Sequence, residues 1–142
     1  AAGERDGPEL VGQLTVHRDE QHDGVRIELP SGRSLVYASI RAEASGVVAD
    51  TLGRERRLHP GALLENVAQA VARDILADAL VRLEHHGFEC VLHVHDEAIV
   101  EVGDEAGASE SRELVEWVLE TPPEWASDLP LRAEASIGRR FV

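Results

Sequence analysis

Short β-prone runs broken by turn chemistry occupy the first part of the chain. Val25 to Leu29 and Ser34 to Ala38 flank Pro30-Ser31-Gly32-Arg33, where proline fixes one backbone angle and glycine supplies a positive one, so the pattern predicts a hairpin. Upstream, residues 1–22 are rich in Gly, Asp, Glu and His, with only Leu10, Val11, Leu14 and Val16 to bury, and read as a poorly defined lead-in with room for one edge strand. Residues 45–58 are mixed and arginine-rich, and suggest no regular element. Pro60 then stands where a first helical turn tolerates proline. No proline or internal glycine follows between Gly61 and His86, and Gly87 supplies a stop, which predicts one long helix. Leu64, Ala68, Val71, Ile75 and Ala79 recur every three or four positions as its apolar stripe, while Asn66, Gln69 and Arg73 take the same spacing on another face.

Cys90 to Val94 and Ala98 to Val102 are two further β-prone runs, separated only by His95-Asp96-Glu97, and predict a second hairpin with a charged tip. Glu110 to Glu120 reads as an amphipathic helix with Leu114, Val115 and Val118 inward, ended by Pro122-Pro123. Leu131, Ala133, Ala135 and Ile137 alternate with Arg132, Glu134 and Ser136, the pattern of a half-buried final strand. The fold class is α+β: an antiparallel sheet with two hairpins packed on one long and one shorter helix.

Composition narrows this picture. At 142 residues the chain can bury roughly 70% of its unfolded surface as one compact domain. No apolar run approaches the roughly 20 residues of a membrane span, and no basic stretch followed by an apolar one opens the chain, so a cytoplasmic setting without membrane contact is expected. Methionine is absent even at position 1, which points to a chain processed or excised from something longer. Cys90, the single cysteine, sits in an apolar run and reads as a small buried hydrophobe. The net charge of −13, with 14 arginines and no lysine, argues against a general electrostatic grip on nucleic acid, so any DNA contact must be local.

Candidate chemistry concentrates at His95-Asp96-Glu97. Two adjacent acids at a tight turn put carboxylate oxygens at a sheet end, where a hard cation such as Mg²⁺ can be held with water and phosphate oxygens completing its shell. The same residue types also suit a solvated hairpin tip. His93-Val94-His95-Asp96 additionally fits a zinc-ligand pattern, which would suggest a metal-dependent hydrolase, but the barrel that carries that pattern takes about 250 residues.

The run Glu65-Asn66-Val67-Ala68-Gln69-Ala70-Val71-Ala72-Arg73-Asp74, then Gly87-Phe88, then Val91-Leu92-His93-Val94-His95-Asp96-Glu97, resembles the C-terminal palm region of family A DNA polymerases, most of all the bacteriophage-type members related to DNA polymerase I. Leu29-Pro30-Ser31-Gly32-Arg33-Ser34-Leu35-Val36-Tyr37, Glu124-Trp125-Ala126 and Leu129-Pro130-Leu131 follow the same order. The resemblance covers residues 23–142 and implies a palm subdomain there. It implies that Asp96 is the metal-binding aspartate of motif C in two-metal nucleotidyl transfer. Glu97 would be a supporting acid, and His95 would lie near the primer terminus. It further implies that Asn66, Gln69 and Arg73, with Arg57 before the helix, meet the minor groove of primer–template DNA. Glu65 and Gly61 depart from the glutamine and asparagine found in many members.

Motif A, with the second metal-binding aspartate, and motif B, with a lysine and tyrosine for the incoming nucleotide, have no candidate here, because lysine is absent and the single tyrosine, Tyr37, lies in the first hairpin. The expected role is that of a palm fragment whose Mg²⁺ site is incomplete and whose partners are primer–template DNA, a deoxynucleoside triphosphate and the remainder of a polymerase chain. The isolated chain is expected to be inactive. An inactive or separately encoded palm remnant, acting as an interaction module, is the alternative.

Overall fold

A computed structural model describes residues 9–11, 13–44, 46–51, 53–103 and 107–140, without the side chains of 9–11 and 51. The expected burial of Leu10 and Val11 lies outside the described side chains. The chain forms two compact units, residues 1–71 and 72–142, and its long helix runs through both. Residue patterns of both helical and strand period are present, as an α+β fold requires.

The first unit is a six-stranded antiparallel meander of β1 (Glu9–Val11), β2 (Leu14–Asp19), β3 (Gly24–Glu28), β4 (Ser34–Glu43), β5 (Gly46–Thr51) and β6 (Arg54–Leu58), each strand paired with its sequence neighbours. The expected first hairpin is β3 and β4, closed by the turn in which Gly32 has φ +84°. Two strands, rather than one, come from the lead-in, because β2 pairs with β3 from Thr15 to Asp19. The arginine-rich stretch is also strand. Gly46 and Gly53 take positive φ at its turns, while Arg54, Glu55, Arg56 and Arg57 are solvated, so no alternation of burial announced β6.

Gly24 has a specific reason to be glycine. A Cβ there would lie 2.0 Å from the carbonyl oxygen of Tyr37 on the paired strand. Tyr37, Ala49 and Leu58 form the buried core of the sheet, with Ile27, Leu35, Ile40 and Leu63 against it.

Helix α1 spans Pro60–His85. Proline at its first position loses no hydrogen bond, and the His59 ring nitrogen Nδ1 accepts from the Ala62 N–H at 3.1 Å, supplying a side-chain cap. At the other end Gly87 (φ +85°) donates to Glu84, and Phe88 donates to the Leu83 carbonyl and packs in the Leu83 cluster, which is a Schellman stop. The buried face differs from the expected stripe. Of that stripe Ala79 is buried and Val71 and Ile75 are half-buried, but Leu64 is 71% exposed and Ala68 is exposed, while Ala70, Leu76 and Leu83 are buried instead. The apolar residues of this helix nearly encircle it, so period alone could not choose the face.

The second unit contains β7 (Glu89–Val94) and β8 (Glu97–Glu101), a two-stranded antiparallel sheet, and α2 (Ala108–Glu120). Leu83, Val115 and Val118 are its core, and Leu80, Cys90, Ala98 and Val100 pack on it, so helix and hairpin share one apolar layer as expected. Arg82 ties α1 to the end of α2. Its guanidinium donates to Val118 O (3.0 Å) and Thr121 O (2.7 Å), the carbonyls left unpaired at a helix end, and to Asp78 (2.8 Å).

The expected final strand does not form. Residues 131–138 carry no ladder; Leu131, Ala133 and Ala135 are half-buried and Arg132, Glu134 and Ser136 exposed, as the alternation predicts, but Ile137, expected inward, is 56% exposed. Side chains replace the strand partner: the N–H of Ala133 donates to Glu120 at 3.3 Å and that of Ala135 to Glu116 at 2.9 Å, both carboxylates projecting from α2.

Candidate functional site

The second hairpin carries the candidate acids. β7 and β8 pair from Glu89↔Glu101 to Val94↔Glu97, so the loop is two residues, His95 and Asp96, and Glu97 already belongs to β8. A two-residue loop needs positive φ within it for its twist to match that of the strands. His95 supplies it with φ +55°, a region unusual for a residue with a side chain. The tip is thus one residue shorter than expected.

His95, Asp96 and Glu97 are all exposed and adjacent, and among the described residues neither carboxylate has a hydrogen-bond or ion-pair partner in its side chain. Both border an open groove of about 1060 Å³ in this unit, walled by apolar residues such as Leu76, Ala79, Val100 and Val115, with Arg112 and Arg132 also lining it. Sequence reading missed this groove because its walls come from both helices, β8 and the extended C-terminal segment, which no local pattern links.

Metal-ligand geometry is partial. Among the described residues no group of three or more His, Cys, Asp or Glu side chains converges to hold an ion. Zinc sites of hydrolases use three or four convergent ligands, a set the described residues do not bring together. His93 pairs with Ala98 within the sheet while His95 lies in the turn, so H-x-H does not present two equivalent ligands. Asp96 and Glu97 suit a hard cation by their oxygen chemistry, but these residues supply only part of the six-oxygen shell that Mg²⁺ takes.

The other expected site residues fall elsewhere. Asn66 and Gln69 are exposed on α1, with Asn66 Nδ2 donating to the Tyr37 hydroxyl at 3.1 Å and Gln69 Nε2 to Glu65 at 3.2 Å. Glu65 is therefore engaged along the helix. Arg73 is exposed further along the same helix. Arg57 does not join Asn66 and Gln69: its neighbour Leu58 faces the core that Leu63 covers, and strand alternation sends Arg57 to the opposite sheet face. Cys90 is half-buried, and desolvation, followed by the Glu84 charge, raises its thiol pKa, as suits a packed rather than a reactive cysteine. Among the described residues no helix is long and apolar enough to cross a membrane.

Comparison with known proteins gives relatives by sequence. The chain is 40% identical over 122 residues to a DNA polymerase of Bacillus phage SP02, covering 78% of this chain and 18% of the relative. It is 32% identical over 123 residues to the thermostable DNA polymerase I of Thermus filiformis, covering 80% of this chain and 14% of the relative. The chain therefore spans less than a fifth of these curated relatives. No protein-family profile matches it, and no solved structure does.

Proposed function

We infer the function of this chain from one premise, that it is a DNA polymerase I-like segment. Its role is that of the C-terminal palm segment of a template-directed polymerase acting in DNA replication or repair, with Asp96 as the motif C carboxylate. The observation that carries this reading is the His95-Asp96 turn, which leaves the Asp96 and Glu97 side chains exposed, without partners among the described residues, at the end of a hairpin packed on a helix.

Asp96, supported by Glu97, would hold part of a Mg²⁺ site, and the missing ligands would come from elsewhere in a longer polypeptide. Mg²⁺ bound there would supply activation of the primer hydroxyl and neutralisation of the leaving pyrophosphate. His95 lies beside the primer terminus in this reading. Asn66, Gln69 and Arg73 meet the minor groove, where acceptors occur at nearly the same place in every correct base pair and can be checked without reading sequence.

Primer extension tests the reading. In the longer polypeptide that carries this chain, Asp96→Asn should abolish nucleotide incorporation while leaving primer–template binding within about threefold, since a metal ligand contributes to chemistry more than to DNA affinity. The 142-residue chain by itself should incorporate none. Normal synthesis by the variant would defeat the assignment of Asp96.

A further inference from the structure

We propose that the Leu29-Pro30-Ser31-Gly32-Arg33 turn and Tyr37 form a bracket that fixes α1 in its register and Asn66 in its rotamer, which makes Tyr37 a positioning residue for the helix stripe that meets DNA. The proposal rests on the reading of that stripe given above. It gives a purpose to a stretch of sequence that the metal chemistry leaves without one.

Three residues of α1 face the first hairpin at spacings of three and four: Leu63, Asn66 and Ala70. Leu63 packs on the Tyr37, Ala49 and Leu58 core. Asn66 Nδ2 donates to the Tyr37 hydroxyl at 3.1 Å, and the Ala70 carbonyl accepts from Arg33 Nη2 at 2.9 Å. The last two contacts lie one helical turn apart. Together they set both the translation of the helix along its axis and its rotation about it.

The bracket is stiff on the sheet side. Tyr37 is only 4% exposed within the core, so the position of its hydroxyl is determined by packing. Arg33 is held by its turn: the Leu29 N–H donates to Arg33 O at 2.8 Å, the Gly32 N–H donates to Leu29 O at 2.9 Å, and Leu29 is 2% exposed. A longer or looser turn would not hold the guanidinium opposite one carbonyl.

Asn66 sits at the border of this buried stripe and next to the exposed Gln69 and Arg73 on the helix surface. Its amide has two donor hydrogens and an acceptor oxygen, and the tyrosine uses one hydrogen. The second N–H and Oδ1 remain for a ligand, already oriented. Ordering a free side chain on binding weakens affinity by several-fold, a cost this arrangement removes in advance.

The test is a double-mutant cycle in the longer polypeptide that carries this chain, using Tyr37→Phe, Asn66→Ala and both together. Readouts are primer–template Kd, kcat/KM for extension of a matched primer, the ratio of matched to mismatched extension, and the thermal midpoint. Tyr37→Phe keeps the buried ring, so the midpoint should move little. Matched extension should fall about three- to tenfold, the loss of one hydrogen bond, with a narrowed match-to-mismatch ratio and no further loss in the Asn66→Ala background. If Asn66→Ala itself leaves binding and extension unchanged, the DNA-facing reading fails and this proposal falls with it. If Asn66→Ala is impaired while Tyr37→Phe is normal, or if the two losses add in full, the positioning role alone is overturned.

Discussion

The two hairpins of this protein follow one sequence rule and end in different physical situations. Both are pairs of apolar runs around a short polar turn. The first, β3 and β4, lies inside a six-stranded sheet, with β2 and β5 pairing its outer edges and α1 covering one face, so Leu29 and Tyr37 are nearly inaccessible. The second, β7 and β8, has no third strand among the described residues. One of its faces packs on Leu83 and Val115, while Val91, Leu92 and Val94 remain 51%, 47% and 39% exposed. Two-stranded sheets are marginal by themselves. The first hairpin therefore tolerates little change in its backbone, whereas the second presents its tip to solvent and can spend that tip on chemistry.

Alanine in place of glycine should break the symmetry most sharply. Gly24→Ala puts a methyl group into the Tyr37 backbone carbonyl and should cost more than about 3 kcal/mol, seen as a lower urea midpoint. Gly103→Ala, after β8, meets nothing within 4 Å and should shift stability by less than about 0.5 kcal/mol. Equal effects would show that the second hairpin is as tightly enclosed as the first.

Arg82→Ala should rank next, at about 2 kcal/mol. It leaves the Val118 and Thr121 carbonyls without their charged donor, in the layer on which the second hairpin rests. Arg82→Lys should recover only part of the loss, because one ammonium cannot reproduce the fork that spans both carbonyls. Guanidinium unfolding of the three proteins measures this.

At the hairpin tip, Asp96→Asn and Glu97→Gln should change stability by less than about 0.5 kcal/mol, since neither side chain has a partner among the described residues. A large loss of stability would reveal a structural task for these acids and weaken the functional reading.

The smallest effects concern protons. Asp19 accepts from the side chain and N–H of His22, and the His22 side-chain hydrogen bond is the main cause that lowers its pKa from the ordinary 3.8. A carboxyl with a depressed folded pKa stabilises fully above its unfolded value, and that contribution is lost as pH falls through the folded one. The stability that Asp19 adds over Asp19→Asn should therefore be present above pH 3.8 and be lost as pH falls further, through the lowered folded-state pKa. In the second unit, the raised pKa of Cys90 means less thiolate at pH 8 than a free cysteine has, so iodoacetamide should modify it slowly until denaturant is added.

Both hairpins, both helices and the acidic tip were legible because their signals are local: the turn glycine at position 32, Pro60 and Gly87 around α1, Pro122 after α2. The candidate acids were legible for the same reason, being consecutive. The groove beside them was not, since it joins residues from four segments. Nor was the separation of Arg57 from Asn66, which depends on the sheet parity of Leu58 rather than on sequence distance.

The amino-acid sequence by itself determined the ends of α1, the two hairpin turns and the end of α2, because proline, glycine and side-chain caps act within a few residues of where they stand. It also determined which of residues 131–136 would turn inward, Leu131, Ala133 and Ala135. Tertiary structure decided what those elements meet. Glu116 and Glu120 of α2, rather than a neighbouring strand, take the N–H groups of Ala135 and Ala133, and Leu83 rather than Leu64 is buried on α1. The physical reason is the same in both cases: alternation and helical period specify which side chains want burial, but a backbone hydrogen bond or a packed face takes whichever partner the rest of the chain brings within reach.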